Sequence, residues 1–143
     1  MMRSPRFLPR LLVAAAIAGA ATPAAAVDEH ALLAVPLTQA PGARFTALTV
    51  TYRPGQSSAP HRHEADAFVY VLAGHVRSQL DATPARVYAP GESWFEPAGA
   101  HHVLCGNASR SETATMLVVF VARPQARLHV ADQPATPART QSR

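Results

Sequence analysis

His61 and His63 stand one residue apart behind Gly55 and Pro60, and His102 follows a second turn segment, Pro97-Ala98-Gly99. Imidazole is the commonest metal-ligating side chain, and alternate residues of an extended strand point to one face. A His-x-His pair therefore offers two nitrogen donors together, and a third histidine brought alongside completes a three-histidine set. Three neutral imidazoles leave the full charge on a divalent transition metal and keep two or three positions open. Such a centre can polarise a carbonyl or an enolate or, with iron, hold substrate and dioxygen side by side.

Short β-rich runs surround these residues: Phe45 to Arg53, Ala67 to Leu72, Val76 to Leu80, Arg86 to Tyr88, Ser93 to Glu96, His101 to Cys105 and Thr115 to Ala122. Turn signals separate them at Pro54-Gly55, Gly74, Asp81 to Pro84, Pro90-Gly91, Pro97 to Gly99 and Gly106-Asn107. Many short strands punctuated in this way indicate an all-β sandwich or barrel, and no long helical period follows the N-terminal segment. Strand alternation puts Ala67, Val69 and Val71 on one face and Asp66, Phe68, Tyr70 and Leu72 on the other. It also turns His101 away from His102, sends His75 outward and directs Cys105 away from the metal face as a small buried hydrophobe.

The spacings are specific. Gly55 is followed by five residues, His61-Arg62-His63, three residues, Ala67, six residues and Gly74; Gly91 is followed by five residues, Pro97-Ala98-Gly99, two residues and His102. From Gly55 to Asn107 this resembles the two motifs of the cupin family, in the family's order. The resemblance implies an antiparallel double-stranded β-helix, or jelly-roll barrel, with a divalent metal (Fe, Mn, Ni, Cu or Zn) on His61, His63 and His102. Two departures stand out. Ala67 occupies the place of the family's glutamate ligand, and Asn107 comes one position late, behind Gly106. Asp66 or Glu64 reaches the site only if the chain after His63 is irregular.

Residues 1–26 carry Arg3, Arg6 and Arg10, then apolar Leu11 to Ala21, then Thr22-Pro23-Ala24-Ala25-Ala26. This is the order of a secretory signal cleaved after Ala26, and the apolar stretch is about half the roughly 20 residues of a membrane span. The expectation is a periplasmic or secreted protein with no permanent membrane span. Basic groups are all arginine; without the three in the leader, ten of the 13 face nine carboxylates, leaving +1 in place of +4. Scattered arginines at that balance do not make a nucleic-acid surface. Cys105 is the only cysteine, which excludes an intrachain disulfide. Gly91-Glu92-Ser93-Trp94-Phe95 lacks the second glycine of a nucleophile elbow.

These readings divide the chain into a leader (1–26), an N-terminal arm (27–43), a barrel (44–123) and a loosely held C-terminal tail (124–143). Glu64, Asp66, Glu92 and Glu96 sit near strand ends, where alternation does not fix their facing, so no residue receives a catalytic role. Tyr52, Tyr70, Tyr88, Trp94 and Phe95 are read as packing groups, and His30 and His129 as surface or structural ones. The pocket is expected to be apolar, lined by Val69, Val71, Val103 or Leu104, and suited to a small apolar or aromatic ligand. The apolar stripe Phe68, Tyr70 and Leu72 fits a second layer or a homodimer contact. Because some cupin dioxygenases use a histidine triad without the glutamate, the resemblance implies oxidative cleavage of a small enolisable or phenolic compound. The alternative is a non-catalytic module that holds a metal or ligand unchanged.

Overall fold

The computed structural model describes residues 26–132. The leader, residues 1–25, and the last part of the tail, 133–143, lie outside the described residues. Eleven strands form two sheets: β1 (Asp28–Pro36), β2 (Arg44–Tyr52), β3 (Ser57–Ser58), β4 (His61–Arg62), β5 (Asp66–Ala73), β6 (Val76–Leu80), β7 (Arg86–Tyr88), β8 (Ser93–Glu96), β9 (His101–Asn107), β10 (Ala114–Ala122) and β11 (Val130–Ala131). One sheet runs β1-β2-β10-β5-β8 and the other β11-β4-β9-β6-β7, with β3 also paired to β9. Every pairing is antiparallel. The fold is thus all-β, and among the described residues no helix is long and apolar enough to cross a membrane.

Alternation explains the core. On β5, Ala67, Val69 and Val71 are buried while Asp66, Phe68, Tyr70 and Leu72 face outward. On β10, Ala114, Met116, Val118 and Phe120 are the buried set. Together with Val50, Tyr52, Val76, Trp94 and Cys105 they fill the space between the sheets. Each fully buried apolar side chain of this kind stabilises by about 1.5–3 kcal/mol. A one-residue slip of β5 would exchange its two faces, so burial itself holds the register that places Ala67 inside.

Strand bounds from the sequence agree with those observed to within two residues, and two further strands lie in segments read as an arm and a tail. The segment read as an arm forms β1, an exposed edge strand paired along β2. The first part of the tail is tied down as well: β11 pairs with β4, Arg127 forms an ion pair with Glu64, and Asp132 N donates to Pro60 O at 3.2 Å.

The motif's late asparagine has a structural counterpart in β9. Opposite β6, Gln79 pairs with Leu104 but Leu80 pairs with His102, so Val103 is an extra, bulged residue. A bulge absorbs one residue and re-aims the side chains on either side of it. It places both His102 and Cys105 inside. The expected outward turn of Cys105 is therefore incorrect as to facing, while its burial stands. Asn107 still closes the turn beyond β9, donating to Tyr52, Arg53 and Glu112 carbonyls and accepting from Ser109 N at 2.8 Å.

Gly74 joins β5 to β6 at φ +67°, and a Cβ there would strike Thr113 O and lie 2.8 Å from Ala114 Cα, both backbone atoms. Gly99 has φ +83° with open space around it. Gly74→Ala is therefore expected to destabilise the fold by about 2–4 kcal/mol, from backbone strain plus overpacking, and Gly99→Ala by only about 1–2 kcal/mol. Urea denaturation of the two variants checks the order; equal losses would contradict it.

Candidate metal centre

His61 and His102 are directly opposed in the β4–β9 ladder. Opposed residues of antiparallel strands share a face with Cβ atoms about 4.5–5.5 Å apart, so the register alone brings two imidazoles together. Both are buried, at 4% and 2% exposure. β4 ends at Arg62, so His63 is held by other means. Its carbonyl accepts from Gly99 N at 2.8 Å, and the Arg62 guanidinium donates to Gly99 O at 2.8 Å. The Pro97-Ala98-Gly99 turn of the second motif therefore clamps the His-x-His of the first. Asp66 supports that turn, its Oδ1 accepting from Ala98 N at 2.9 Å. As the alternation implied, Asp66 lies away from the site.

The three histidines converge, each offering one ligand atom, with these atoms within 4.8 Å of one another. Their hydrogen bonds choose the atoms. His61 Nδ1 donates to Ala59 O at 2.8 Å, and His63 Nδ1 donates to Leu128 O. Each ring is thereby left with Nε2 unprotonated and free to coordinate, the usual effect of a carbonyl behind a metal-ligating imidazole. On His102, Nε2 meets Ser78 Oγ at 2.9 Å, while Nδ1 is buried without a hydrogen-bond partner. The nearest charged group to it is Glu96 Oε1, at 3.3 Å but outside hydrogen-bond geometry. This orphaned atom and the two selected tautomers fit a cation.

Electrostatics agree for two of the rings. Burial, with the neighbouring histidines, lowers the His61 pKa to about 4 despite its bond to Ala59, and burial likewise lowers that of His63. Both rings are neutral at physiological pH. Burial also works against protonated His102, but Cys105 and the Glu96 carboxylate outweigh it and push its pKa up to about 10. Burial disfavours ionised Glu96, yet contacts with His102, Trp94 and His63 bring its carboxyl below the usual range. A metal held by His102 would displace that proton.

Glu96 and His129 are the residues that sequence reasoning missed. Glu96 is 2% exposed and lines the pocket. Trp94 and Glu96 share a face of β8, and burial of the tryptophan was the available signal. His129, assigned a surface or structural role, instead stacks on His61 with ring centroids 4.4 Å apart and forms part of the pocket wall. Only a fold that brings β11 beside β4 reveals this placement. His101 pairs with Asp132 at 2.7 Å outside the site, and His75 is exposed. Glu64 and Glu92 pair with Arg127 and Arg86 at the surface.

The cavity over the histidines is about 70 Å³. Of the expected lining only Val69 is present; Leu48, Val50, Val118, Phe120 and Leu128 supply the rest of the apolar wall. Val71 is packed in the core, and Val103 and Leu104 are displaced by the β9 bulge. Tyr52 lines the pocket and donates to Cys105 Sγ at 3.3 Å; burial raises its pKa, so it remains a neutral phenol.

Solved structures share this architecture. The DMSP lyase DddQ from Ruegeria pomeroyi superposes with a TM-score of 0.61 at 20% identity, over 77% of this chain and 53% of that one. A conserved protein with a double-stranded β-helix domain from Klebsiella pneumoniae gives 0.59 at 18% identity, over 75% and 85% of the two chains. An RmlC-like cupin from Methanocaldococcus jannaschii gives 0.57 at 14%, over 70% and 84%. The chain thus spans about half the length of the lyase, and at these identities the likeness is one of fold. No curated protein matches the sequence. The cupin domain model matches residues 48–120, half of the chain and the span that holds the three histidines, and the chain belongs to the cupin family.

Proposed function

We propose that this is an exported single-domain cupin that binds one divalent transition metal (Fe, Mn, Ni, Cu or Zn) through His61, His63 and His102. We propose further that it acts as an oxygenase on a small enolisable or phenolic compound. One observation carries the metal reading: three imidazoles, two buried and one partly buried, converge with two Nε2 atoms freed by backbone carbonyls and a third nitrogen without a hydrogen bond. The basic, apolar and small-residue order of residues 1–26 supports export, in a periplasmic or secreted setting.

Bound there, the metal would supply Lewis-acid polarisation or, as iron, oxygen binding. The chain's own residues set what can reach it. Phe120 lies beside His63, with ring centroids 5.0 Å apart, and together with Val118, Val50 and Leu48 keeps the approach apolar. Leu128 and His129 close one side, held by the β11–β4 pairing. An apolar or aromatic ligand suits this wall better than a charged one. A cavity of about 150 Å³ holds a benzene ring, roughly twice the volume found here, so a phenolic substrate requires the pocket to widen.

That small volume favours a second reading, a non-catalytic module that keeps a metal or small ligand without changing it. Oxygen uptake separates the two. Incubation of the iron-loaded protein with diketones, flavonols and catechols is expected to consume oxygen with at least one of them. Stoichiometric metal without uptake across the panel would support the binding module. His61→Ala, His63→Ala and His102→Ala are each expected to weaken metal binding by more than 100-fold in calorimetric titration and to abolish uptake. Unchanged affinity in any of the three would remove that histidine from the centre.

Association as a homodimer is proposed on the exposed outer face of the first sheet. Phe68, Tyr70 and Leu72 of β5 lie beside Phe95 of β8 and Val121 of β10, each more than a third exposed. A contiguous apolar face of this kind is unusual on a monomer. Sedimentation velocity is expected to give a dimer that Phe95→Glu converts to monomer; a monomeric wild-type protein at tens of micromolar would contradict the proposal.

A further inference from the structure

Ala67 removes the carboxylate from the place where the cupin pattern puts one, yet a carboxylate still lies beside the histidines. In the β5–β8 ladder Ala67 is directly opposed to Glu96. Both face the barrel interior, at 0% and 2% exposure. Opposed Cβ atoms lie about 4.5–5.5 Å apart, within the reach of a glutamate side chain. A carboxylate mounted on β8 can therefore enter the volume that one on β5 would occupy, and the small side chain at 67 leaves it room.

The contacts fit that substitution. Glu96 Oε2 is 3.4 Å from His63 Nε2, and Oε1 is 3.3 Å from His102 Nδ1, the unpaired nitrogen. Atoms bonded to one metal at about 2.0–2.2 Å stand roughly 3.0–3.5 Å from each other in octahedral or tetrahedral geometry. Both distances lie in that range. Trp94 Nε1 donates to Oε1 at 2.7 Å and fixes the carboxylate's orientation, as groups behind metal ligands do. Among the described residues the ion-pair contacts of Glu96 are these two histidines, with no arginine. A buried carboxylate costs several kcal/mol unless its charge is matched, and a cation at the histidines would match it. Three carboxylates near the motifs are otherwise engaged, Glu64 with Arg127, Glu92 with Arg86 and Asp66 with the Ala98 amide, and Glu29, which also lines the pocket, is less buried than Glu96.

We infer that Glu96 is the fourth protein ligand of the metal, carried on β8 in place of the family's position on β5. This rests on the three-histidine reading. It makes the centre a three-histidine, one-carboxylate set, reduces its net charge by one and leaves up to two positions of an octahedral ion for small molecules.

Cobalt(II) titration of the purified protein, followed by calorimetry and by visible d–d absorption, tests it. Glu96→Gln keeps an acceptor for Trp94 and is expected to weaken cobalt binding about 100-fold or more and to alter the d–d bands. A67E/E96A returns a carboxylate from the opposing strand at nearly constant volume, and is expected to recover affinity to within about 10-fold of wild type. This double variant carries the test if Glu96→Gln fails to fold. Weaker binding with an unchanged spectrum would make Glu96 a hydrogen-bonding support and overturn the assignment, as would wild-type affinity in Glu96→Gln. Wild-type protein that binds no cobalt would instead sink the three-histidine reading beneath it.

Discussion

Four ionisable side chains, His61, His63, Glu96 and His102, are buried or nearly so within an apolar β-barrel, and the cost of taking them out of water constrains the rest of the site. Burial of an ionised carboxylate or imidazolium costs several kcal/mol unless its charge is matched and its polar atoms are paired. The fold meets most of that requirement with backbone and side chains in equal share: Ala59 and Leu128 carbonyls accept from two rings, and Ser78 and Trp94 side chains meet His102 and Glu96. The requirement left over, at His102 Nδ1, faces the carboxylate and is the kind that a cation satisfies.

That constraint gives roles to segments that look peripheral. The C-terminal stretch supplies the Leu128 carbonyl that selects the His63 tautomer and the His129 ring that covers His61. It is held in place by the Glu64–Arg127 pair, by β11 on β4 and by the His101–Asp132 contact. Several charged residues in the neighbourhood of the motifs thus position the segment or turn that orients the histidines.

The parts of this arrangement that follow from local alternation were legible in the sequence. The two-residue period of β5 correctly separated Ala67, Val69 and Val71 from Asp66, and the motif spacing identified the three histidines that converge. Pairing between strands distant in sequence was not legible. Glu96 lies 29 positions from Ala67, and nothing in either segment shows that they are opposed. His129 follows an unremarkable polar stretch, and its place depends on a two-residue strand that only the finished barrel stabilises. The inward turn of Cys105 depends on a bulge at Val103, hinted at by the late Asn107 but not located by it. These misses share one cause, because alternation reports which residues share a face and is silent on what lies across the ladder.

The central claim is that His61, His63 and His102 hold one cation between them. Anomalous diffraction from crystals of the purified protein, collected across transition-metal absorption edges with no metal added, tests it most directly. The expected result is a single strong peak within about 2.0–2.3 Å of a nitrogen of each of the three rings. A peak located elsewhere, or density showing the three rings fully ordered with no metal between them, would contradict it.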